Sequence, residues 1–186
     1  NCVVNGKVLN EGIFDNIWIQ PAAGDAGGAL GAALFAWHQV QGNPRHATPR
    51  DRQKGSYLGP AFDKDDILSW AEMNEYPCRD LGESVFLETA ELLASEKIVG
   101  WFNGRMEFGP RALGGRSIIG DPRSQQMQKV MNLKIKYRES FRPFAPSVLR
   151  EDVSDWFEID YDSPYMLLVA DVKENKRRQM SDDDAQ

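Results

Sequence analysis

The stretch NGRMEFGPRALGGRSII spans residues 103–119 and carries the most information about the fold. Three arginines and four glycines are interleaved in it. Glycine allows a backbone to turn tightly, and guanidinium groups bind phosphate or carboxylate through paired hydrogen bonds. The pattern therefore predicts a tight loop around an anion. Its candidate ligand-binding residues are Arg105, Arg111, Arg116 and Ser117.

Few acids accompany this loop. Only Glu107 and Asp121 lie close enough in sequence to neutralise its arginines or the following Arg123. Residues 100–150 hold ten Lys and Arg against three Asp and Glu, a net charge of +7, although the whole chain carries −6. A basic segment in an acidic protein favours contact with an anion, and a solvated basic surface is the alternative.

A second glycine-rich segment, AAGDAGG at residues 22–28, lies directly before a predicted helix. The free amides and the dipole of a helix N-terminus attract phosphate. The candidates for phosphate contact are Gly24, Gly27 and Gly28. Asp25 is negative, so it would bind a divalent cation that bridges to phosphate. The alternative is that Asp25 caps the helix and the glycines allow close packing.

The rest of the pattern alternates between strands and helices, which is typical of α/β proteins. Strands are predicted at residues 14–20, 97–102, 144–149 and 165–172. Helices are predicted at residues 29–40, 63–73, 83–95 and 151–157, and another runs from Asp121-Pro122 to about residue 137. Residues 41–56 are predicted to form a connecting loop.

The predicted helix from Pro122 orients the lysines that follow the loop. Lys129 and Lys136 are seven residues apart and share one side of a regular helix, whereas Lys134 and Arg138 lie on the opposite side. The chain after Arg138 is expected to leave the helix and to turn Arg142 back toward the anion site.

Length and composition set wider bounds. A chain of 186 residues with 41% hydrophobic residues can form one domain or two small ones, and it predicts a packed core. Cys2 and Cys78 lack a framework spacing and are predicted to be free thiols. His38 and His46 have no metal-ligand spacing. No membrane-spanning run or export signal is visible, which predicts a cytoplasmic protein without a membrane partner.

Five segments together resemble one family. They are NCVVNGK (1–7), QPAAGDAGGA (20–29), LGP (58–60), GRMEFGPRALGGRSI (104–118) and KYRESFRPFAPS (136–147). On these segments the chain resembles the O-carbamoyltransferases of the nodulation-factor, cephem and tobramycin type. The resemblance extends to about residue 172, and the block EFGPRALG is its most specific part.

The resemblance implies two domains and an ATP-dependent reaction. Residues 1–76 would close an actin-like ATPase-fold domain similar to the threonylcarbamoyl-transfer enzymes, and residues 77–186 would form a truncated YrdC-like domain. The second domain would use ATP to activate carbamoyl phosphate to a carbamoyl-adenylate. The first would pass the carbamoyl group to a hydroxyl of a small-molecule acceptor, using a bound divalent metal, expected to be iron. As part of such an enzyme, the chain is expected to be inactive alone and free of metal.

The resemblance also implies roles for matching residues. Asp25 matches the last metal ligand of the family. The residues that match its catalytic basic groups are Lys136, Arg105 and Arg111. Those that match its carbamoyl phosphate or nucleotide site are Gly24, Gly27, Gly28, Arg116 and Met166. Ser117, Arg138 and Arg142 are further candidates for this site. The histidine ligands expected upstream, and the arginine and serine expected beyond residue 186, are not in this sequence.

A nucleic-acid-binding or tRNA-modifying module is the rival interpretation, because YrdC-like proteins act on tRNA. Such a surface places exposed aromatics among basic residues and usually makes the domain basic overall. The isoelectric point is about 5.0, so carbamoyl phosphate and a small hydroxyl-bearing acceptor are the preferred partners. The acceptor and the oligomeric state are left open, and a homodimer is allowed.

We predict that Lys136→Ala weakens binding of carbamoyl phosphate or ATP by at least tenfold in the full protein that contains this chain. A charge-assisted contact to phosphate contributes roughly 1.5 to 3 kcal/mol, and about 1.4 kcal/mol is a tenfold change. Calorimetric titration measures the loss, with Lys134→Ala as the control. Equal binding by the two variants would contradict the assignment of Lys136 to the pocket.

Overall fold

The computed structural model describes residues 1–178 as a mixed α/β protein with several helices and one two-stranded sheet. The helices are α1 (Cys2–Asn10), α2 (Asp25–Phe35), α3 (Lys64–Met73), α4 (Val85–Ala94), α5 (Met127–Val130) and α6 (Val153–Trp156), and the strands are β1 (Val99–Phe102) and β2 (Arg116–Ile119). Short 3₁₀ turns lie at Lys54–Ser56, Gly82–Ser84, Arg150–Asp152 and Glu174–Lys176. None of the helices in the described residues is both long and apolar enough to cross a membrane.

The chain divides into two compact units. The first unit combines Asn1–Ile19 with the chain from Ala145 onward, and the second is Gln20–Phe144. The segment of residues 103–116 is called the arginine loop from here on. It belongs to the second unit, and so does the glycine turn at residues 22–28 that precedes α2.

The first unit is organised around α1. The Asn1 side chain caps this helix by accepting from the backbone N–H of Val3 at 3.1 Å. The Asn5 side chain donates to the carbonyl of Leu167 at 2.9 Å. Gly6 lies so close to Val169 that an added Cβ would be 2.8 Å from its carbonyl oxygen. The helix is therefore bound to residues 167–169.

The segment predicted as a strand at residues 165–172 is not one. Its one ladder contact is an isolated antiparallel bridge between Val172 and Phe157. The strands predicted at residues 14–20 and 144–149 are also wrong, since those residues carry no strand. A strand needs a neighbour to receive its backbone hydrogen bonds, and β1 and β2 pair only with each other.

The sheet closes the arginine loop. β1 and β2 are antiparallel, with Val99 opposite Ile119 and Phe102 opposite Arg116. One more hydrogen bond, from the Asn103 N–H to the Gly115 carbonyl at 2.9 Å, extends the pairing into the loop. The prediction of β1 is confirmed. The sequence does not predict β2, because this strand has only four residues and follows a segment rich in glycine and arginine.

The helix α2 begins earlier than predicted, at Asp25 rather than Ala29. The carbonyl of Ala22, whose φ is 53°, accepts from Gly24 N–H at 2.7 Å and from Gly27 N–H at 2.9 Å, which starts the helix within the glycine segment. A π-helical turn at Ala36–Val40 continues it. The predicted helix is therefore present, and it extends further toward the N-terminus than predicted.

The predicted helix from Pro122 is shorter and irregular. It begins at Met127 because the Asp121 carboxylate binds the Arg123 N–H at 2.9 Å and the Arg123 guanidinium at 2.7 Å, which forms a local turn instead of a helix cap. A π-helical turn at Met131–Ile135 follows α5. Its wider turn breaks the regular spacing that would align Lys129 with Lys136.

The composition predicts a packed core, and this prediction is wrong for the described residues. Their buried hydrophobic side chains are Ala71, Met127 and Met131. Large apolar groups such as Trp18 and Met73 are 79% and 82% exposed. Short helices and a single two-stranded sheet cannot cover each other's apolar faces.

Candidate functional site

The arginine loop is built around the carboxylate of Glu107. One oxygen, Oε1, accepts from the N–H groups of Leu113 at 2.7 Å, Gly115 at 2.7 Å and Arg116 at 3.2 Å. Burial raises the pKa of Glu107, but hydrogen bonds from Leu113, from its own N–H, and from Gly115 and Arg116 outweigh burial and hold the pKa below its usual value. The carboxylate is therefore ionised at neutral pH. The stability that it contributes is present above the unfolded-state pKa and is lost as the pH falls through the lowered folded-state pKa.

Neutral carbonyl groups hold two of the loop arginines. The Arg105 guanidinium donates to the Gly59 carbonyl at 2.9 Å. The Arg116 guanidinium donates to the carbonyls of Gly104 at 3.1 Å and Gly115 at 2.7 Å. Its Cζ lies 4.6 Å from the centre of the Phe102 ring, within range of a cation–π contact.

The loop arginines differ from Arg123 in their partners. Arg123 pairs with the buried carboxylate of Asp121 at 2.7 Å, so its charge is neutralised within the fold. Within residues 1–178, no carboxylate forms an ion pair with Arg105, Arg111 or Arg116. The positive charge of these three remains available to an anionic ligand.

An open pocket of about 320 Å³ lies at the loop. It is lined by Tyr57, Asn103, Gly104, Arg105 and Gly114. Ligand sites commonly have volumes of roughly 300 to 1,000 Å³, so this pocket can accept a compact anion or part of a nucleotide. Arg116 is not one of the lining residues, but its guanidinium donates to the carbonyl of Gly104, which is.

The segment that begins at the end of the predicted loop, residues 56–60, supplies one side of the site. Residues 56–60 pair with residues 105–108 through the N–H of Gly59 and the carbonyl of Met106 at 2.9 Å, and through the N–H of Phe108 and the carbonyl of Ser56 at 2.6 Å. The Tyr57 hydroxyl donates to the Leu113 carbonyl. Burial, and secondarily the charge of Glu107, raise the pKa of Tyr57, so the phenol stays protonated and can donate.

The two glycine-rich motifs touch each other. Gly109 has a φ of 119°, and a Cβ added there would lie 2.6 Å from the Cβ of Ala22. The Gln20 side chain reinforces this contact by donating to Gln53 at 3.0 Å. Gln53 in turn donates to the buried Ser56 hydroxyl at 3.2 Å. The glycine turn, residues 53–60 and the arginine loop therefore form one connected structure.

The glycines before α2 have different roles. A Cβ on Gly27 would lie 2.5 Å from the Ala22 carbonyl oxygen, so close packing explains this glycine. Nothing lies within 4 Å of the corresponding positions on Gly24 and Gly28, which leaves their backbones approachable. Gly24 is the residue at the N-terminal cap of α2 and makes no side-chain cap.

Asp25 is the exposed first residue of α2. An acidic residue at this place stabilises the helix dipole, and its carboxylate can also coordinate a divalent cation. No group of three or more His, Cys, Asp or Glu side chains converges to bind a metal in the described chain. A metal site at Asp25 would therefore need donors from outside the described residues, and the assignment of Asp25 as a ligand stays a prediction.

The segment after α5 is held by Asn132, which is completely buried. Its amide nitrogen donates to the carbonyls of Ser140 at 3.0 Å and Arg142 at 2.8 Å, and its oxygen accepts from Arg138 at 2.7 Å. This network folds residues 138–142 back onto the π-helical turn. The chain therefore leaves the helix after Arg138, as predicted, but it returns to the π-helical turn, and the return of Arg142 to the anion site stays a prediction.

The basic side chains of this segment are engaged to different degrees. Arg138 lies over the Phe144 ring at 5.0 Å, and Arg142 pairs with Glu139 at 3.1 Å. Lys136 directly follows the π-helical turn, is exposed, and makes no ion pair with another described residue. No hydrogen bond or ion pair between described residues connects Lys136 to the arginine loop.

The two remaining residues predicted for the site are Ser117 and Met166. The Ser117 hydroxyl accepts from the Gly114 N–H at 3.1 Å, which stabilises the loop. Met166 belongs to the first unit, has a φ of 53° and is 39% exposed. The assignment of these residues to a ligand site remains a prediction.

Comparison with known protein families shows to which family this chain belongs. The family described as Carbamoyltransferase C-terminus matches residues 90–183, about half of the chain, and Carbamoyltransferase N-terminus matches residues 1–34. The chain belongs to the carbamoyltransferase family. This membership confirms the resemblance found in the sequence.

Individual proteins that are similar to this chain support the same family assignment. It is 61% identical to the uncharacterized protein sll1178 of Synechocystis sp., covering 95% of the chain and 29% of that protein. It is 42% identical to nodulation protein NolO of Bradyrhizobium diazoefficiens, covering 95% and 32%. It is 33% identical to 3'-hydroxymethylcephem-O-carbamoyltransferase of Streptomyces clavuligerus, covering 94% and 31%. The chain thus spans less than a third of the length of these relatives.

Sequence reasoning missed three residues that shape the site. Glu107 was considered only as an ion-pair partner for arginine, because its contacts to backbone N–H groups depend on the loop conformation. Tyr57 follows a predicted linker, although the adjacent LGP segment belongs to the family resemblance. Asn132 sits among apolar residues in a predicted helix, where nothing in the spacing distinguishes it from a solvated amide.

We predict that Asn132→Ala speeds trypsin cleavage after Arg138 by at least tenfold. The substitution removes two donors from carbonyl groups and one acceptor from Arg138, which costs roughly 2 to 3 kcal/mol of local stability. Cleavage of a transiently opened segment follows its opening free energy when reclosing is fast. The measurement is the initial cleavage rate at this bond, read by mass spectrometry.

The control is Asn74→Ala, because Asn74 is an exposed asparagine whose side chain makes one hydrogen bond, to Trp70. It should leave the cleavage rate at Arg138 within about twofold of the wild type, since surface changes are usually within about 0.5 kcal/mol. An Asn132→Ala rate equal to that of the control would show that Asn132 does not hold this segment.

Proposed function

We propose that this chain is part of an ATP-dependent O-carbamoyltransferase and that its arginine loop binds carbamoyl phosphate and ATP. The observation that carries the proposal is the arrangement at Glu107. This carboxylate binds backbone N–H groups, while Arg105 and Arg116 are held by carbonyls beside an open pocket. Two fixed guanidinium groups without an acidic partner provide a site for phosphate.

The proposed chemistry matches these groups. In the proposed reaction, water first cleaves carbamoyl phosphate into carbamate and inorganic phosphate. A carbamate oxygen then bonds to the α-phosphate of ATP, the bond to the β-phosphate breaks, and pyrophosphate leaves. Negative charge develops on the departing oxygen. Donors that are already fixed in place stabilise such charge without reorganising during the reaction. Arg105 and Arg116 fulfil this condition because each has one nitrogen anchored on backbone carbonyls.

The transfer of the carbamoyl group to the acceptor would take place near the N-terminus of α2. Asp25 would hold a divalent cation, for which iron is our expectation, and this cation would act as a Lewis acid toward the carbamoyl carbonyl. The chain's own contribution is one carboxylate at the positive end of α2 and the approachable backbone of Gly24 and Gly28. A hydroxyl acceptor is supported by the name of the Streptomyces relative, which is a hydroxymethylcephem O-carbamoyltransferase.

The same proposal assigns two domains. Residues 1–76 would belong to the actin-like domain and residues 77–186 to the YrdC-like domain. The N-terminal family match ends at residue 34 and the C-terminal match begins at residue 90, so the proposed boundary falls between them. Residues 179–186 lie outside the described part of the chain.

A nucleic-acid-binding module is the second candidate, and one observation favours it. Tyr137 and Phe141 are 86% and 74% exposed beside Lys136 and Arg142, as expected of a surface on which bases stack. The acidic isoelectric point of about 5.0 and the family membership favour the carbamoyl transfer proposal instead. Tight, salt-dependent binding of single-stranded RNA without ATP consumption would support the second candidate.

The two partial reactions test the proposal in the full protein. Exchange of labelled pyrophosphate into ATP, dependent on carbamoyl phosphate, reports adenylate formation, and carbamoylation of a hydroxyl acceptor reports transfer. We predict that Arg116→Ala lowers the exchange rate at least tenfold, since a charged hydrogen bond contributes roughly 1.5 to 3 kcal/mol. Asp25→Ala should leave exchange intact and abolish transfer.

The control is Arg79→Ala, because Arg79 is an exposed arginine that pairs with Glu88 on the surface of α4. It should leave both reactions near wild-type rates. Wild-type protein that exchanges no pyrophosphate, or an Arg116→Ala variant with unchanged exchange, would contradict the proposed function of the loop.

A further inference from the structure

We infer that Glu107 is a positioning residue of the anion site: its carboxylate fixes the loop so that Arg105 and Arg116 face the ligand with their charges unpaired. This inference rests on the proposed function, because it requires that the loop bind an anion. It adds a residue that touches no ligand in the proposal yet determines its affinity.

The first support is the convergence of three N–H groups on one oxygen. Peptide N–H groups that point at one place form a concave site for an anion. In this loop Glu107 Oε1 occupies that place through the N–H groups of Leu113, Gly115 and Arg116. The backbone amides are thus satisfied within the protein, and the side chains of the arginines are left to bind the external anion.

The second support is how closely the loop surrounds the carboxylate. Gly115 is buried, and a Cβ added there would lie 3.2 Å from the Glu107 carboxyl carbon and 2.6 Å from the Arg105 carbonyl oxygen. The backbone of Leu113 is held at both of its peptide groups, by Glu107 at the N–H and by the Tyr57 hydroxyl at the carbonyl. A change at Glu107 is therefore transmitted directly to the peptides of Leu113 and Gly115.

The third support is the link from these peptides to the arginine side chains. The Gly115 residue that donates to Glu107 also accepts from the Arg116 guanidinium at 2.7 Å. Arg105 contributes its carbonyl to the surface packed against Gly115. If the Glu107 contacts are lost, the acceptors that orient Arg116 shift with the loop.

Charge as well as shape is required. Hydrogen bonds to an ionised acceptor are roughly twice as strong as neutral ones. Glu107→Gln keeps the size and one oxygen acceptor but removes the charge, and its amide nitrogen cannot accept from an N–H group. Glu107→Ala removes every contact. The two substitutions should therefore weaken the loop in that order.

The test is calorimetric titration of pyrophosphate into the full protein, with pyrophosphate as the probe. We expect Glu107→Gln to bind about tenfold more weakly than the wild type and Glu107→Ala to bind more weakly still. Far-ultraviolet circular dichroism establishes that each variant is folded. If Glu107→Gln does not fold, Glu107→Asp replaces it, because a shorter carboxylate keeps the charge but cannot reach all three N–H groups. The control is Glu88→Gln, which removes the charge of the ion-pair partner of Arg79 on α4 and should bind like the wild type.

A double variant separates positioning from a general loss of stability. If Glu107 acts through Arg116, then adding Glu107→Gln to Arg116→Ala should weaken binding much less than Glu107→Gln does alone. Fully additive losses would overturn the positioning role.

The remaining outcomes are also decisive. Wild-type protein that does not bind pyrophosphate would overturn the proposed function together with this inference. Wild-type binding that is weakened by Arg116→Ala but unchanged by Glu107→Gln would overturn the inference alone and leave the proposed function standing.

Discussion

The site depends on the hydrogen bonds that one carboxylate oxygen of Glu107 accepts from three backbone N–H groups. A glycine-rich loop loses much conformational entropy when it is ordered, and an ionised acceptor provides strong contacts to offset that loss. The same contacts prevent Glu107 from neutralising the neighbouring arginines. The loop is therefore ordered and strongly positive at once, which are the two properties that a fixed anion site needs.

The remaining parts of the second unit support this loop. The β1–β2 pair closes its ends, residues 56–60 pair along one side, and Ala22 packs against Gly109. The last contact connects the arginine loop to the turn that begins α2, where Asp25 lies. The segments of Ala22 and Gly109, which are far apart in sequence, thus meet through a position where only glycine leaves enough space.

The sequence allowed a good part of this arrangement to be predicted, and the failures have physical causes. The helices α2, α3 and α4 follow from periodicity and from acids such as Asp63 that cap a first turn. Three predicted strands are missing because apolar runs indicate burial but do not identify a partner strand. The roles of Glu107 and Asn132 depend on contacts with backbone groups, which no side-chain pattern encodes. The tight turns of the arginine loop follow from its four glycines, and the loop lies within residues 90–183, which match the C-terminal family model.

The measurement that tests the central claim most directly is a crystal structure of the full protein with a non-hydrolysable ATP analogue. The account predicts phosphate oxygens within hydrogen-bond distance of Arg105 and Arg116, with Glu107 still bound to the N–H groups of Leu113, Gly115 and Arg116. Phosphates bound away from these arginines, or a loop in which Glu107 turns to pair with one of them, would contradict it.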